Sequence, residues 1–315
     1  MTSSNSTMSF AGPISEIRHM LAPIIITEND VEASHQKSLA AIEAHQTREI
    51  ELAEKVEKVM PPPQNQIIMV LQRNILPSTT IEEIALQMTP CGWIETFQKA
   101  SDELSHISRI IHSLNRELAP SKENIFRAFD LCPLSKVKLV ILGQNPYDTH
   151  INGVPIANGL AFSTSKGIPI GDSCRNIFRE IQNEYGDFRM PTHGDLSSWA
   201  KQGVLLLNSY LTVPLNSPND CHIVWESFIG RVFEAITFEN PNCVFLLLGA
   251  KAQKWQNKLS NKSVKLMATH PSPNSAYRSS RDSPAFIGCG HFQKINSQLS
   301  LLGKIPINWN SVNEE

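Results

Sequence analysis

The chain has 315 residues, of which 41% are hydrophobic and 18% charged, and a formal net charge of −2. That is the balance of a soluble globular protein with enough core for one large domain or two small ones. No apolar run approaches the roughly 20 residues of a membrane span, and the first residues match neither a secretory signal nor an arginine-rich presequence.

Six scattered cysteines, Cys91, Cys132, Cys174, Cys221, Cys243 and Cys289, form no C-x-x-C pair. Free thiols are expected, in a reducing intracellular compartment (nucleus or cytoplasm), with no metal site and no cofactor. Charge is unevenly spread: residues 1–89 hold 6 Lys/Arg against 11 Asp/Glu, whereas 90–315 hold 22 against 19. Lys251, Lys254, Lys258, Lys262, Lys265, Arg278 and Arg281 fall in 240–281, a stretch without an acidic residue. A local basic face free of counter-charge suits contact with phosphate.

In chain order, residues 1–29 read as irregular, with Pro13 and Pro23 around Ile24-Ile25-Ile26. Residues 30–59, rich in Ala, Glu, Lys and Gln, predict a helix that Pro61-Pro62-Pro63 ends. Its apolar positions (Leu39, Ile42, Leu52, Val56, Val59) sustain no heptad, so a solvated helix is expected rather than a coiled coil. Residues 1–89 are read as a mostly helical or disordered N-terminal extension, an arm for a protein partner.

From about residue 90 the texture changes. Apolar runs at 137–142, 204–207, 244–248 and 264–267 alternate with helical stretches at 173–185, 222–238, 250–259 and 290–302. This predicts an α/β domain over 90–315, with a central four-stranded parallel sheet flanked by helices. The first run stops at Gly143 and passes into the polar, Pro-containing turn Gln144-Asn145-Pro146-Tyr147-Asp148. Asn208 and His270-Pro271-Ser272-Pro273 follow two other runs. Ligands in such sheets bind outside the carboxyl ends of the strands, so these three strand ends define a candidate site.

At these residues the chain resembles the family 1 uracil-DNA glycosylases. The resemblance rests on GQNPY at 143–147, HGDLSSWAKQGVLLLNSYLTV at 193–213, VFLLLGAKAQ at 244–253, HPSPNSAYR at 270–278 and GCGHF at 288–292. It covers about 90–312 and implies that family's four-stranded α/β fold. It also implies monofunctional, metal-free hydrolysis of the N-glycosidic bond of uracil in DNA, as in base excision repair. By the resemblance Asn208 reads the uracil edge, Phe162 stacks on the base, Tyr147 crowds C5, and the backbone of Gln144 helps hold uracil. His270 donates to O2 as charge develops on the leaving base. Ser173, Ser272 and Ser275 match serines of DNA-clamping loops, with Asn274, Tyr277 and Arg278 in the same DNA-binding segment.

Three positions depart from the family pattern. GQDPYH is replaced by GQNPYD, so Asn145 stands where a carboxylate faces the sugar cation and positions water, and Asp148 replaces a histidine. A slower glycosylase is expected, with Asp148 as a candidate for the displaced carboxylate. Asn274 stands where the family has a wedging Leu, so weaker flipping from duplexes and a relative preference for single strands are expected. The loops 147–162 and 278–286 also look enlarged. The expected partner is uracil-containing single- or double-stranded DNA, with no membrane, bound by a monomer. A different reading is a glycosylase-fold DNA-binding protein without useful catalysis, such as a replication accessory subunit. A flavodoxin-like nucleotide-binding protein ranks last, for want of a Gly-rich phosphate loop.

Overall fold

The computed structural model describes residues 78–87, 92–151, 153–216 and 225–314. The helix expected over 30–59 lies outside the described residues, as do Cys91 and Cys221. The strands are, in order, β1 (Leu118–Ala119), β2 (Leu139–Gly143), β3 (His150–Ile151), β4 (Val154–Pro155), β5 (Val204–Asn208), β6 (Val213–Pro214), β7 (Val244–Leu248) and β8 (Val264–Ala268).

Strands β2, β5, β7 and β8 form one parallel sheet in the order β5-β2-β7-β8. Every residue of β2, β5 and β7 is buried. That explains their continuous apolar runs, because a strand covered on both faces has no polar side to alternate with. Of the two edge strands, β5 is covered on both faces, whereas β8 is half-buried over Val264–Met267. β1 with β6, and β3 with β4, make two short antiparallel pairs.

Helices Asp172–Glu184, Glu226–Glu239 and His291–Leu301 flank the sheet near three of the expected stretches; the fourth, 250–259, is the short helix Ala250–Gln253 followed by the 3-10 turn Lys254–Lys258, and helix Ser197–Lys201 lies outside all four. Their apolar residues join one core that includes Trp93, Phe97, Phe129, Trp199, Phe228 and Phe292. Each fully buried Leu, Ile, Val or Phe side chain of this core contributes about 1.5–3 kcal/mol. The N-terminus of His291–Leu301 is capped by its neighbour: Glu180 accepts from Gly288 (2.6 Å) and Gly290 (3.0 Å) N–H, and Glu184 from Phe292 N–H (3.2 Å).

The expected start of the domain at residue 90 is earlier in the structure. Helix Ile81–Leu86 buries Ile81, Ile84 and Ala85 in the same core. Thr80 and Glu83 close a reciprocal capping box at its start.

Candidate active site

The chain passes from β2 to β5 on one side and then crosses to β7 on the other, so the order of strands reverses at β2. The crevice outside the carboxyl ends at such a reversal is the usual ligand site of an open α/β sheet. Here Gly143, last of β2, pairs with Asn208, last of β5. A Cβ on Gly143 would lie 2.6 Å from Asn208 Oδ1 and 3.1 Å from Phe162 Cζ. A glycine is therefore what lets the amide and the aromatic ring close over the strand end.

The carbonyls of the turn after β2 are held from outside. Ser209 N–H and Oγ both donate to Gly143 O at 3.1 Å, Tyr210 N–H donates to Gln144 O at 3.1 Å, and Asn216 N–H donates to Asp148 O at 2.9 Å. Thr149 O then accepts from Ile156 N–H at the base of the β3–β4 hairpin, which lies in the loop before Phe162.

Phe162 is buried, with φ at 65°, an uncommon state for a bulky residue. Its ring centroid is 5.8 Å from that of His270, with the planes at 50°. Tyr147 donates its hydroxyl to Phe162 O at 3.4 Å, and a Cβ on Gly171 would meet that hydroxyl at 2.3 Å. Burial, with nearby Cys174, raises the Tyr147 pKa, so the phenol stays neutral.

His270 lies two residues beyond β8. Its Nδ1 accepts from Ser272 N–H at 3.1 Å, which leaves the proton of the neutral ring on Nε2. Burial pushes its pKa down to about 4. The ring at neutral pH is thus an uncharged donor. Gly249, with φ at 90°, makes room beside it: a Cβ there would lie 3.1 Å from His270 Cβ.

All seven residues expected to hold or act on the base (Gln144, Asn145, Tyr147, Asp148, Phe162, Asn208 and His270) line one cavity of about 250 Å³. Ser173, 9% exposed in the first turn of Asp172–Glu184, lines it too. Ser272, Asn274, Ser275, Tyr277 and Arg278 do not; they occupy the turn that leaves His270. Ser272 O accepts from Ser275 (2.9 Å) and Ala276 (2.8 Å) N–H, while Asn274, Tyr277 and Arg278 point to solvent. Asn176 Nδ2 donates to Pro271 O at 2.8 Å, tying this turn to the helix that carries Ser173.

The basic segment is less bare than its sequence implies. Glu226, from another helix, pairs with Lys258 at 2.9 Å, and Lys258 sits 4.7 Å from the Trp255 ring centroid. Lys251, Lys254, Lys262, Arg278 and Arg281 are exposed. Among the described residues, Glu180, Glu184 and Cys289 have metal-ligand spacing, but both carboxylates already accept the backbone N–H groups of the helix they cap. Gly143, Gly171 and Gly249 escape a motif-free reading, since only the third dimension shows what presses on them. The β3–β4 hairpin had a signal, the Asn152-Gly153 dipeptide between the β-branched Ile151 and Val154.

Fold and cavity together define an α/β protein with one aromatic-walled, polar-edged site suited to a planar heterocycle. The family model of the uracil DNA glycosylase superfamily matches residues 129–300. The uracil-DNA glycosylase of Proteus mirabilis is 39% identical over 229 residues, 70% of this chain and 96% of that one. That of Aeromonas salmonicida is 46% identical over 196 residues, 61% and 83% of the two chains. The crystal structure of mimivirus uracil-DNA glycosylase superposes with a TM-score of 0.67 at 28% identity, covering 72% of this chain and 88% of that one. The chain belongs to the uracil DNA glycosylase superfamily.

Proposed function

We propose that this protein is a uracil-DNA glycosylase: it hydrolyses the N-glycosidic bond of uracil in DNA, releases the base and leaves an abasic site for base excision repair. The observation that carries this reading is the convergence of Asn208, Phe162, Tyr147 and His270 on one cavity at the strand ends. A base within a duplex is out of reach, so the nucleotide must be extruded into such a pocket. The Asn208 amide offers an acceptor to N3–H and a donor to O4, a pattern that cytosine does not match. Phe162 covers the face of the base, and Tyr147, wedged against Gly171, closes the C5 edge against a methyl group.

As the C1′–N1 bond lengthens, negative charge gathers on the base and positive charge on the sugar. The neutral His270 Nε2–H donates to O2, the atom on which that charge is greatest. Asn145 orients the attacking water, whose hydroxyl joins C1′ while its proton leaves toward the released base. We assign the anion that faces the sugar cation to Asp148, half-buried in the same cavity lining three residues along. The exposed turn carrying Ser272, Asn274, Ser275, Tyr277 and Arg278 is assigned to the DNA backbone, with Ser173 beside it. The buried free thiols Cys132, Cys174, Cys243 and Cys289 support a reducing, intracellular setting.

The test is uracil release from single- and double-stranded oligonucleotides by the wild type, Asn145→Asp and Asp148→Asn. Wild-type release is expected, with Asp148→Asn lowering kcat by about 10²-fold or more. Unchanged release by Asp148→Asn would remove its assigned role. Silence from the wild type with rescue by Asn145→Asp would overturn hydrolysis in favour of DNA binding alone.

A further inference from the structure

Phe162 holds a left-handed backbone (φ 65°) that strains any residue other than glycine. Such strain persists only where the surroundings over-determine it. The groups that do so lie behind the cavity. Ser163, the next residue, is fully buried, and its Oγ makes three hydrogen bonds: it donates to Gly194 O (3.1 Å) and accepts from Leu196 N–H (3.0 Å) and Asn158 Nδ2 (2.9 Å). Asn158, 1% exposed, uses its other side-chain atom as well, accepting Leu160 N–H on Oδ1 at 3.3 Å.

Asn158 thus grips the loop on both sides of Phe162, ahead of it at Leu160 and after it at Ser163. The clamp is itself anchored. Arg127 Nη1 donates to Asn158 O at 3.1 Å, and its Nη2 donates to Ser197 Oγ at 2.8 Å with Asp195 3.7 Å away. Ala161 N–H is bound to Leu206 O of β5 at 3.0 Å.

We propose that Asn158 and Ser163 are positioning residues for base recognition: their buried hydrogen bonds hold Phe162 in the left-handed conformation that sets its ring beside Asn208 and His270. Neither lines the cavity, so both act through Phe162. The inference rests on the uracil-glycosylase reading, which places the base against that ring.

The experiment measures steady-state uracil release from a single-stranded oligonucleotide, inhibition by free uracil, and thermal melting. It compares the wild type, Ser163→Ala, Asn158→Ala, Phe162→Ala and the two doubles with Phe162→Ala. Ser163→Ala and Asn158→Ala are each expected to raise KM and the inhibition constant for uracil about tenfold, with kcat within about twofold. Stacking is lost equally from bound substrate and transition state, which is why kcat holds. Neither change is expected to add to Phe162→Ala, and Ser163→Thr, which keeps Oγ, is expected to restore the wild-type KM. Losses that multiply in the doubles, or that fall on kcat in step with melting temperature, would overturn the assignment. If Ser163→Ala does not fold, the Asn158→Ala cycle decides alone. No uracil release by the wild type would overturn the glycosylase reading and this inference with it, whereas multiplying losses in an active enzyme overturn this inference only.

Discussion

Gly143→Ala places one methyl group at the point where the base-binding residues meet. Gly143 does not hold a positive φ, so the backbone accepts alanine and the whole effect falls on the neighbours. The new Cβ would lie 2.6 Å from Asn208 Oδ1 and 3.1–3.2 Å from the Phe162 ring, where ordinary contact begins at 3.4 Å. Relief requires a shift of about 0.8 Å, the gap between that contact limit and the shortest approach. Overpacking of this kind costs about 1–3 kcal/mol of stability. A displacement near 1 Å in a site built on geometry costs about 10²-fold in rate. The assay is kcat/KM for uracil release from a single-stranded oligonucleotide, with a melting curve alongside. Gly230→Ala serves as the control, because nothing lies within 4 Å of its would-be Cβ inside helix Glu226–Glu239. That variant is expected to gain about 0.5–1 kcal/mol at unchanged activity. A Gly143→Ala enzyme within threefold of wild type would refute the claim that this contact sets the pocket.

Three further outcomes are expected. His270 will remain neutral in ¹⁵N NMR at pH 6, with the proton on Nε2, since its folded pKa is depressed to about 4; an imidazolium signal at pH 6 would contradict this. By the same depression, the folded state binds fewer protons than the unfolded one between those pKa values, so His270's contribution to stability is lost as pH falls from about 6.5 toward 4. Glu184 has the opposite sign. Burial, then nearby Glu180, push its carboxyl up to about 7 against the opposing N–H groups of Gln293 and Phe292, so its contribution is full below about 4.5 and is lost as pH rises through 7. Melting temperatures of Glu184→Gln should show a flatter profile over that window than the wild type; parallel profiles would count against it. Asn274→Leu, on the exposed turn after His270, will raise the duplex rate relative to the single-strand rate because an apolar wedge fills a vacated stack; an unchanged ratio would place strand preference elsewhere.

What could be read from the chain alone follows the physics of each element. Strands β2, β5 and β7 were legible because burial on both faces leaves an uninterrupted apolar run. β8, at one edge, was visible through Val264, Leu266 and Met267 despite the intervening Lys265. Helix Ile81–Leu86 went unread although Thr80 and Glu83 spell its capping box, because six residues of pattern weigh little beside the charged extension that precedes them. The cavity's residues were reachable through motif resemblance, and all seven meet. Their supports were not. The left-handed Phe162, the hydroxyl of Tyr147 against Gly171, and the carboxylates of Glu180 and Glu184 on a helix start more than 100 residues away are facts of tertiary approach. No local period encodes them.

The turn that carries Asn145 and Asp148 is fastened through its carbonyls, by Ser209, Tyr210 and Asn216 of the opposite loop. None of those bonds involves a side chain of the turn itself. The turn is therefore a socket whose shape is supplied by one partner and whose reactive groups are supplied by another. Side chains there can be exchanged without the frame having to be rebuilt.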